Sequence, residues 1–133
     1  MLHYLIKSNI MTRINVGVKP CELSDKHLIA EHREIKRIPN CVSKGKYNMN
    51  RKPNKFKLGT GHVKFFYDKL LYLKCRYNTL YNECIKRGFN VQYYGKAWDN
   101  IPNELMNDYT PNQEDRNIIL KRIHEKLKQN KDE

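Results

Sequence analysis

Phe66, Leu70, Leu73, Tyr77, Leu80 and Cys84 recur four and three residues apart through a long stretch free of proline and glycine. Side chains at that interval share one face of an α-helix, whereas a strand would send successive residues to opposite faces. The spacing therefore predicts a helix over 62–87 that carries the core. Lys86 and Arg87 place cations where a helix C-terminus favours them, and Gly88 suits a left-handed exit from the last turn.

Two further helices follow from capping chemistry. Ser24 is a strong N-cap type and Asp25 sits in the first turn, so a helix is expected from 24 to about 37, stopped near Pro39. Leu28, His32 and Ile35 form its core-facing stripe, while His27, Glu31 and Glu34 share a different face, so a histidine and two carboxylates line one edge. Thr110-Pro111-Asn112-Gln113 reads as a capping box with proline at the first helical position, opening a third helix through Leu120, Ile123 and Leu127 to about 129. The expected fold class is all-α: a single compact domain of three main helices (about 24–37, 62–87 and 111–129) joined by long basic or irregular loops. A chain of 133 residues suits one modest core and one function.

Charge narrows the partner. Lys and Arg number 26 against 14 Asp and Glu, a net charge of +12 that points to a polyanion, nucleic acid first and an anionic membrane surface second. No stretch approaches the roughly 18–20 apolar residues that span a bilayer, so the chain reads as soluble and no membrane partner is expected. Met1 to Ile10 lacks a basic n-region, an adequate apolar run and a small-residue cleavage site, and does not read as a signal peptide.

Cys21, Cys41, Cys75 and Cys84 form no C-x-x-C pair and have no Cys or His partner at zinc spacing, so no metal and no cofactor are expected. Reduced thiols packed as small apolar residues of a cytosolic protein are the simpler reading. Between Cys41 and Tyr67, Lys44, Lys46, Arg51, Lys52, Lys55, Lys57 and Lys64 face no acidic residue, which suits a loop that contacts phosphates rather than a solvated connector. From Phe89 to Tyr109 periodicity is lost. Tyr93, Tyr94 and Trp98 either anchor this long connection to the core or stack on bases, and anchoring is the more ordinary use.

Composition and pattern alone thus stop at nucleic-acid binding. Chemistry enters through Met11-Thr12-Arg13-Ile14-Asn15, Glu22-Leu23-Ser24-Asp25-Lys26-His27-Leu28, Ala30-Glu31-His32-Arg33-Glu34 and Gly59-Thr60-Gly61-His62-Val63-Lys64-Phe65-Phe66-Tyr67-Asp68-Lys69-Leu70, followed by Cys84-Ile85-Lys86-Arg87-Gly88-Phe89-Asn90 and Ile101-Pro102. As an ordered set running to about Lys128, these blocks resemble the phage-type pyrimidine-dimer DNA glycosylase, also called endonuclease V. The resemblance implies an all-α enzyme of DNA repair that excises pyrimidine dimers and then cleaves the strand by β-elimination.

What the resemblance implies for individual residues is as follows. Thr12 matches the nucleophile, whose free α-amine forms a Schiff base at sugar C1′ once an initiator methionine is removed. At pH 7 roughly a tenth of an α-amine is unprotonated, against well under a thousandth of a lysine. Glu34 matches the catalytic carboxylate that stabilises a cationic sugar-like transition state and handles protons. Arg13, His27, Arg33, Arg37, Arg122 and Lys126 match DNA-contacting positions, and Arg33 and Arg37 would also counter the effect of Glu34 on the amine; the plainer readings are a surface i, i+3 ion pair for Glu34 and Arg37 and a partly buried hydrogen-bonding role for His27. The implied partner is double-stranded DNA carrying pyrimidine dimers or abasic sites, bound by a monomer that flips a nucleotide, in the cytoplasm of a phage, viral or bacterial setting.

Departures shape the expectation. His32 and Lys36 stand where an aromatic residue and a proline are commoner in the family, and the chain ends in Lys128-Gln129-Asn130-Lys131-Asp132-Glu133 without an aromatic tail. A glycosylase for another lesion is therefore one alternative. Ten residues precede Met11, and within a longer chain the Thr12 nitrogen is an amide with no nucleophilic lone pair. Initiator methionine is removed before threonine but not before leucine, so Met11 is the expected start, with 1–10 an extension outside the active enzyme and 11–133 its single domain. If the extension stays, the alternative is a non-catalytic damaged-DNA-binding protein; an RNA-binding protein is a third reading.

Overall fold

The computed structural model describes residues 12–132, with side chains to Lys128; the expected extension 1–10 and Met11 lie outside the described residues. In chain order the helices are α1 (Asp25–Glu34), α2 (Arg37–Ser43), α3 (His62–Phe65), α4 (Leu70–Lys86) and α5 (Gln113–Asp132). Short 3-10 turns lie at Pro20–Glu22, Gly95–Trp98 and Asn103–Leu105. Among the described residues there is no strand, and the fold is all-α as expected. No described helix is long and apolar enough to cross a membrane.

Helix α4 is the centre of the core. Leu70, Leu73, Tyr77, Leu80 and Cys84 are all buried along one face, and α1 packs against it through Leu28 and His32, the His32 ring stacked 5.0 Å from that of Tyr77. The exit is a Schellman motif: Phe89 N–H donates to the Cys84 carbonyl and Gly88 N–H to that of Ile85, with Gly88 at φ 85°.

The boundaries depart from the sequence expectation in three places, each for a local reason. The helix expected over 24–37 breaks at Ile35–Lys36 and restarts as α2, and Pro39 does not stop it. Without an N–H, Pro39 cannot bond to the Ile35 carbonyl, but in the first turn of a new helix that N–H has no partner to lose. The helix expected over 62–87 breaks after Phe65, with Phe66 and Tyr67 making i→i−3 bonds to Val63 and Lys64. Phe65 and Phe66 are both buried, and their rings pack edge-to-face on one another at 5.2 Å across the break. Asn107 covers the new start: its carbonyl accepts Tyr72 N–H at 3.2 Å and its amide donates to the Asp68 carbonyl at 2.9 Å.

The third departure is the start of α5, which begins at Gln113 rather than 111. The capping box is Asn112 with Asp115: Asn112 Oδ1 accepts Asp115 N–H at 2.8 Å and Asp115 Oδ2 accepts Asn112 N–H at 3.1 Å. Leu120, Ile123 and Leu127 all lie on α5 as expected, but they do not make up its inward face. Asp115 and Ile119 are buried, Arg122, Ile123 and Lys126 half-buried, and Leu120 and Leu127 exposed, so two cations continue the inward face. The thiols depart too. Only Cys84 packs in the core, Cys41 is half-buried, and Cys21 and Cys75 are exposed on the 3-10 turn at Pro20–Glu22 and the outer side of α4.

Candidate active site

The segment from Thr12 to Val18 threads the interior, with Thr12, Ile14, Asn15, Val16 and Val18 all buried. Irregular backbone in that position needs partners for its polar groups, and other elements supply them. His62 Nε2 accepts Ile14 N–H at 2.9 Å. Asn15 Nδ2 donates to Glu31 Oε1 at 2.7 Å, and Arg76 Nη1 to the Val18 carbonyl at 3.0 Å. Arg116 Nη1 reaches the Gly17 carbonyl at 2.7 Å. Gly17 has φ 74°, and a Cβ there would stand 2.9 Å from Arg116 Cβ, so the close approach of α5 requires glycine.

Glu31 and Arg76 form the buried pair beneath this segment. Arg76 donates through Nε and through Nη2, the latter at 2.9 Å, so both carboxylate oxygens are engaged. Burial alone would lower the Arg76 pKa, but the Glu31 carboxylate outweighs it and the value is raised.

Two clefts flank Arg13. One, of about 330 Å³, is lined by Arg13, Asn15, Lys26, His27, Ala30, Glu31, Glu34 and Lys126. The other, of about 410 Å³, is lined by Thr12, Arg13, Leu58, Gly59, His62, Arg122 and Lys126. Thr12 and Glu34 thus open onto different clefts that share Arg13 and Lys126. Thr12 is 2% exposed, and its Oγ1 has no hydrogen-bond partner among the described residues.

Cations crowd the junction of the two clefts. Burial lowers the Arg13 pKa and neighbouring Arg122 lowers it further, while Glu34 and Glu31 oppose the shift. His27 is held by Ser24, whose Oγ accepts its N–H at 3.3 Å and lies 3.0 Å from Nδ1. Its pKa is lowered by burial, then by Arg13, Lys26 and Lys126, which leaves the ring neutral at neutral pH. Burial likewise pushes His62 down to about 4.

Glu34 bonds to Arg33 Nη2 at 3.2 Å, with Arg33 largely exposed. Arg37 lies beyond the break at Ile35–Lys36, half-buried, and lines neither cleft. Of the eight residues singled out from the sequence, Thr12, Arg13, Glu34, His27, Arg122 and Lys126 therefore gather at the two clefts, Arg33 attaches through Glu34, and Arg37 stays apart. Lys26, Asn15, Glu31 and His62 are the other polar residues of the lining and were not among them. The alternation of Ile14, Val16 and Val18 was the one signal that the leading segment is interior. Nothing local marks Asn15 or His62, whose partners lie 16 and 48 residues away.

Among the described residues, no group of three or more His, Cys, Asp or Glu side chains is placed to hold a metal ion. The two clefts bring one partly buried carboxylate, Glu34, together with the cations Arg13, Lys26, Arg122 and Lys126. Residues 11–94, more than half of the chain, match the family described as pyrimidine dimer DNA glycosylase. Arg122 and Lys126 lie beyond the matched residues, yet α5 returns them to the same clefts as Arg13. The chain belongs to the pyrimidine dimer DNA glycosylase family, enzymes of DNA repair.

Proposed function

We propose that the chain excises pyrimidine dimers from duplex DNA and then nicks the strand, with the α-amine of Thr12 as nucleophile after removal of everything up to Met11. The observation that carries this reading is the shared wall of the two clefts: Arg13 and Lys126 stand between Thr12 and Glu34, with Arg122 beside Thr12. The match to the family begins at residue 11, which supports Met11 as the functional start.

In the proposed reaction the amine attacks C1′, the glycosidic bond breaks towards the base, and the sugar opens to an imine. Loss of a C2′ proton then expels the 3′ oxygen by β-elimination, and water releases the amine. Glu34 is assigned to the developing positive charge on the sugar and to the proton transfers. Arg13, Arg122 and Lys126 favour the unprotonated form of an amine placed at Thr12 and give a strand's phosphates somewhere to sit. His27 and Arg33 are assigned to DNA contact, and Arg37 to a phosphate outside the clefts. Clefts of about 330 and 410 Å³ hold a few groups rather than a duplex, which suits a protein that flips a nucleotide out of the stack to reach the lesion.

A second reading has an observation in its favour: in the 133-residue chain the Thr12 nitrogen is an amide. Such a form would bind damaged DNA without cutting it. Protein beginning at Thr12 and protein retaining residues 1–11 separate the two on a duplex with a single dimer. Cleavage of one glycosidic bond of the dimer, seen as free pyrimidine after photoreversal of the cyclobutane ring, and a nick are expected from the shorter form alone; binding without cleavage by both forms contradicts the enzymatic reading, and equal cleavage by both contradicts the Thr12 amine.

A further inference from the structure

We infer that His62 is a positioning residue that sets the Thr12 nucleophile, acting as a neutral imidazole protonated on Nδ1. The inference rests on the reading of Thr12 given above. His62 lines the cleft that Thr12 lines and is 3% exposed. Both ring nitrogens are spent on backbone: Nε2 lies 2.9 Å from Ile14 N and Nδ1 2.7 Å from the Lys57 carbonyl oxygen. An amide N–H can only donate and a carbonyl can only accept, so the two partners assign the tautomer. Phe56 and Phe66 pack edge-to-face on the ring at 5.3 and 5.4 Å and fix its plane.

The position of the Ile14 bond makes this more than core packing. Thr12 has no side-chain anchor among the described residues, since its Oγ1 is buried without a partner. Among the described residues, the hydrogen bond at Ile14, two residues on, is the tether nearest the proposed reacting nitrogen. Through its other nitrogen the same ring holds Lys57, in the basic loop between α2 and α3. One imidazole thus registers the nucleophile segment against the loop whose lysines face no acid in sequence. Displacement of a reacting group by about 1 Å can cost about 100-fold in rate, and a tether this close controls displacements of that size.

Two substitutions divide the two bonds. In His62→Gln the amide oxygen reaches the place of Nε2 and keeps the Ile14 bond. In His62→Asn the shorter amide occupies the place of Nδ1, keeps the Lys57 bond and leaves Ile14 N–H without an acceptor. The test is single-turnover borohydride trapping on a dimer-containing duplex by protein beginning at Thr12, with the dissociation constant and thermal unfolding measured alongside. We expect His62→Asn to form the adduct about 100-fold more slowly with binding little changed, and His62→Gln to restore most of the rate. A wild-type adduct matched in rate by His62→Asn, or equal losses in both variants, overturns the inference alone. No wild-type adduct overturns the Thr12 reading and this inference with it. Should His62→Asn fail to fold, ring nitrogen-15 shifts of the wild-type protein decide: Nδ1 protonated and Nε2 bare at neutral pH is expected, and the opposite tautomer overturns the inference.

Discussion

At the scale of single residues, Glu34 separates chemistry from stability. Its ion pair with Arg33 is solvent-facing on the arginine side, and such pairs contribute roughly 0–1 kcal/mol to folding. Glu34→Gln keeps size and hydrogen bonding but removes the charge, so the fold and DNA affinity should persist while single-turnover dimer excision falls by at least about 100-fold. Near-normal excision by that variant removes Glu34 from the mechanism. His62 makes a prediction in pH instead. Its folded midpoint is about 4, below the ordinary value of 6.5, because burial disfavours the charged ring. As pH falls below 6.5 the unfolded chain takes up a proton that the folded chain refuses, so stability declines down to about pH 4 and then levels off. The size is about 2–3 kcal/mol at pH 4.5, and His62→Gln should lack that component when urea midpoints at pH 7 and 4.5 are compared.

At the scale of elements, the Asn112–Asp115 box predicts that Asn112→Ala costs about 1 kcal/mol in denaturant unfolding, with loss of the N-terminal turn of α5. The Glu31–Arg76 pair predicts more. Removing one buried partner, as in Arg76→Ala, strands the other charge and should cost about 3–5 kcal/mol, read by the same unfolding experiment. These elements show what a sequence can and cannot disclose. The stripe of α4 and the exit at Gly88 were legible because both are local: a fixed interval of apolar residues, and a glycine where the backbone turns left-handed. The breaks at Ile35–Lys36 and after Phe65 were not, because a 3.6-residue pattern passes unbroken through both. On α5, Arg122 and Lys126 turn towards the clefts, and nothing in the local pattern sets these two cations apart from Lys121 and Lys128. Thr12, Glu34 and most of the cations were legible only through resemblance, since nothing in their spacing shows that segments 12–15, 26–34 and 122–126 meet.

At the scale of the molecule, the +12 charge is not spread evenly over function. Lys52 and Lys69 are paired with Asp68, Arg87 with Glu83 and Asp25, and Arg116 with Glu22, all structural uses. Arg13, Lys26, Arg122 and Lys126 gather at the clefts, Arg122 with a loose ion pair to Glu125 at 4.0 Å, and the proposed function gives these cations phosphates as partners. Plots of log affinity against log salt for duplex DNA should fall linearly, and Lys126→Ala should flatten the slope by about 0.9, the change expected for one released counterion. Salt dependence alone does not distinguish an enzyme from a binding protein. Borohydride reduction of protein beginning at Thr12 on dimer-containing duplex, followed by mass mapping of the adduct, does so directly. The account predicts a reduced sugar adduct on the Thr12 α-nitrogen; an adduct on a lysine side chain, or none while binding is intact, would contradict it.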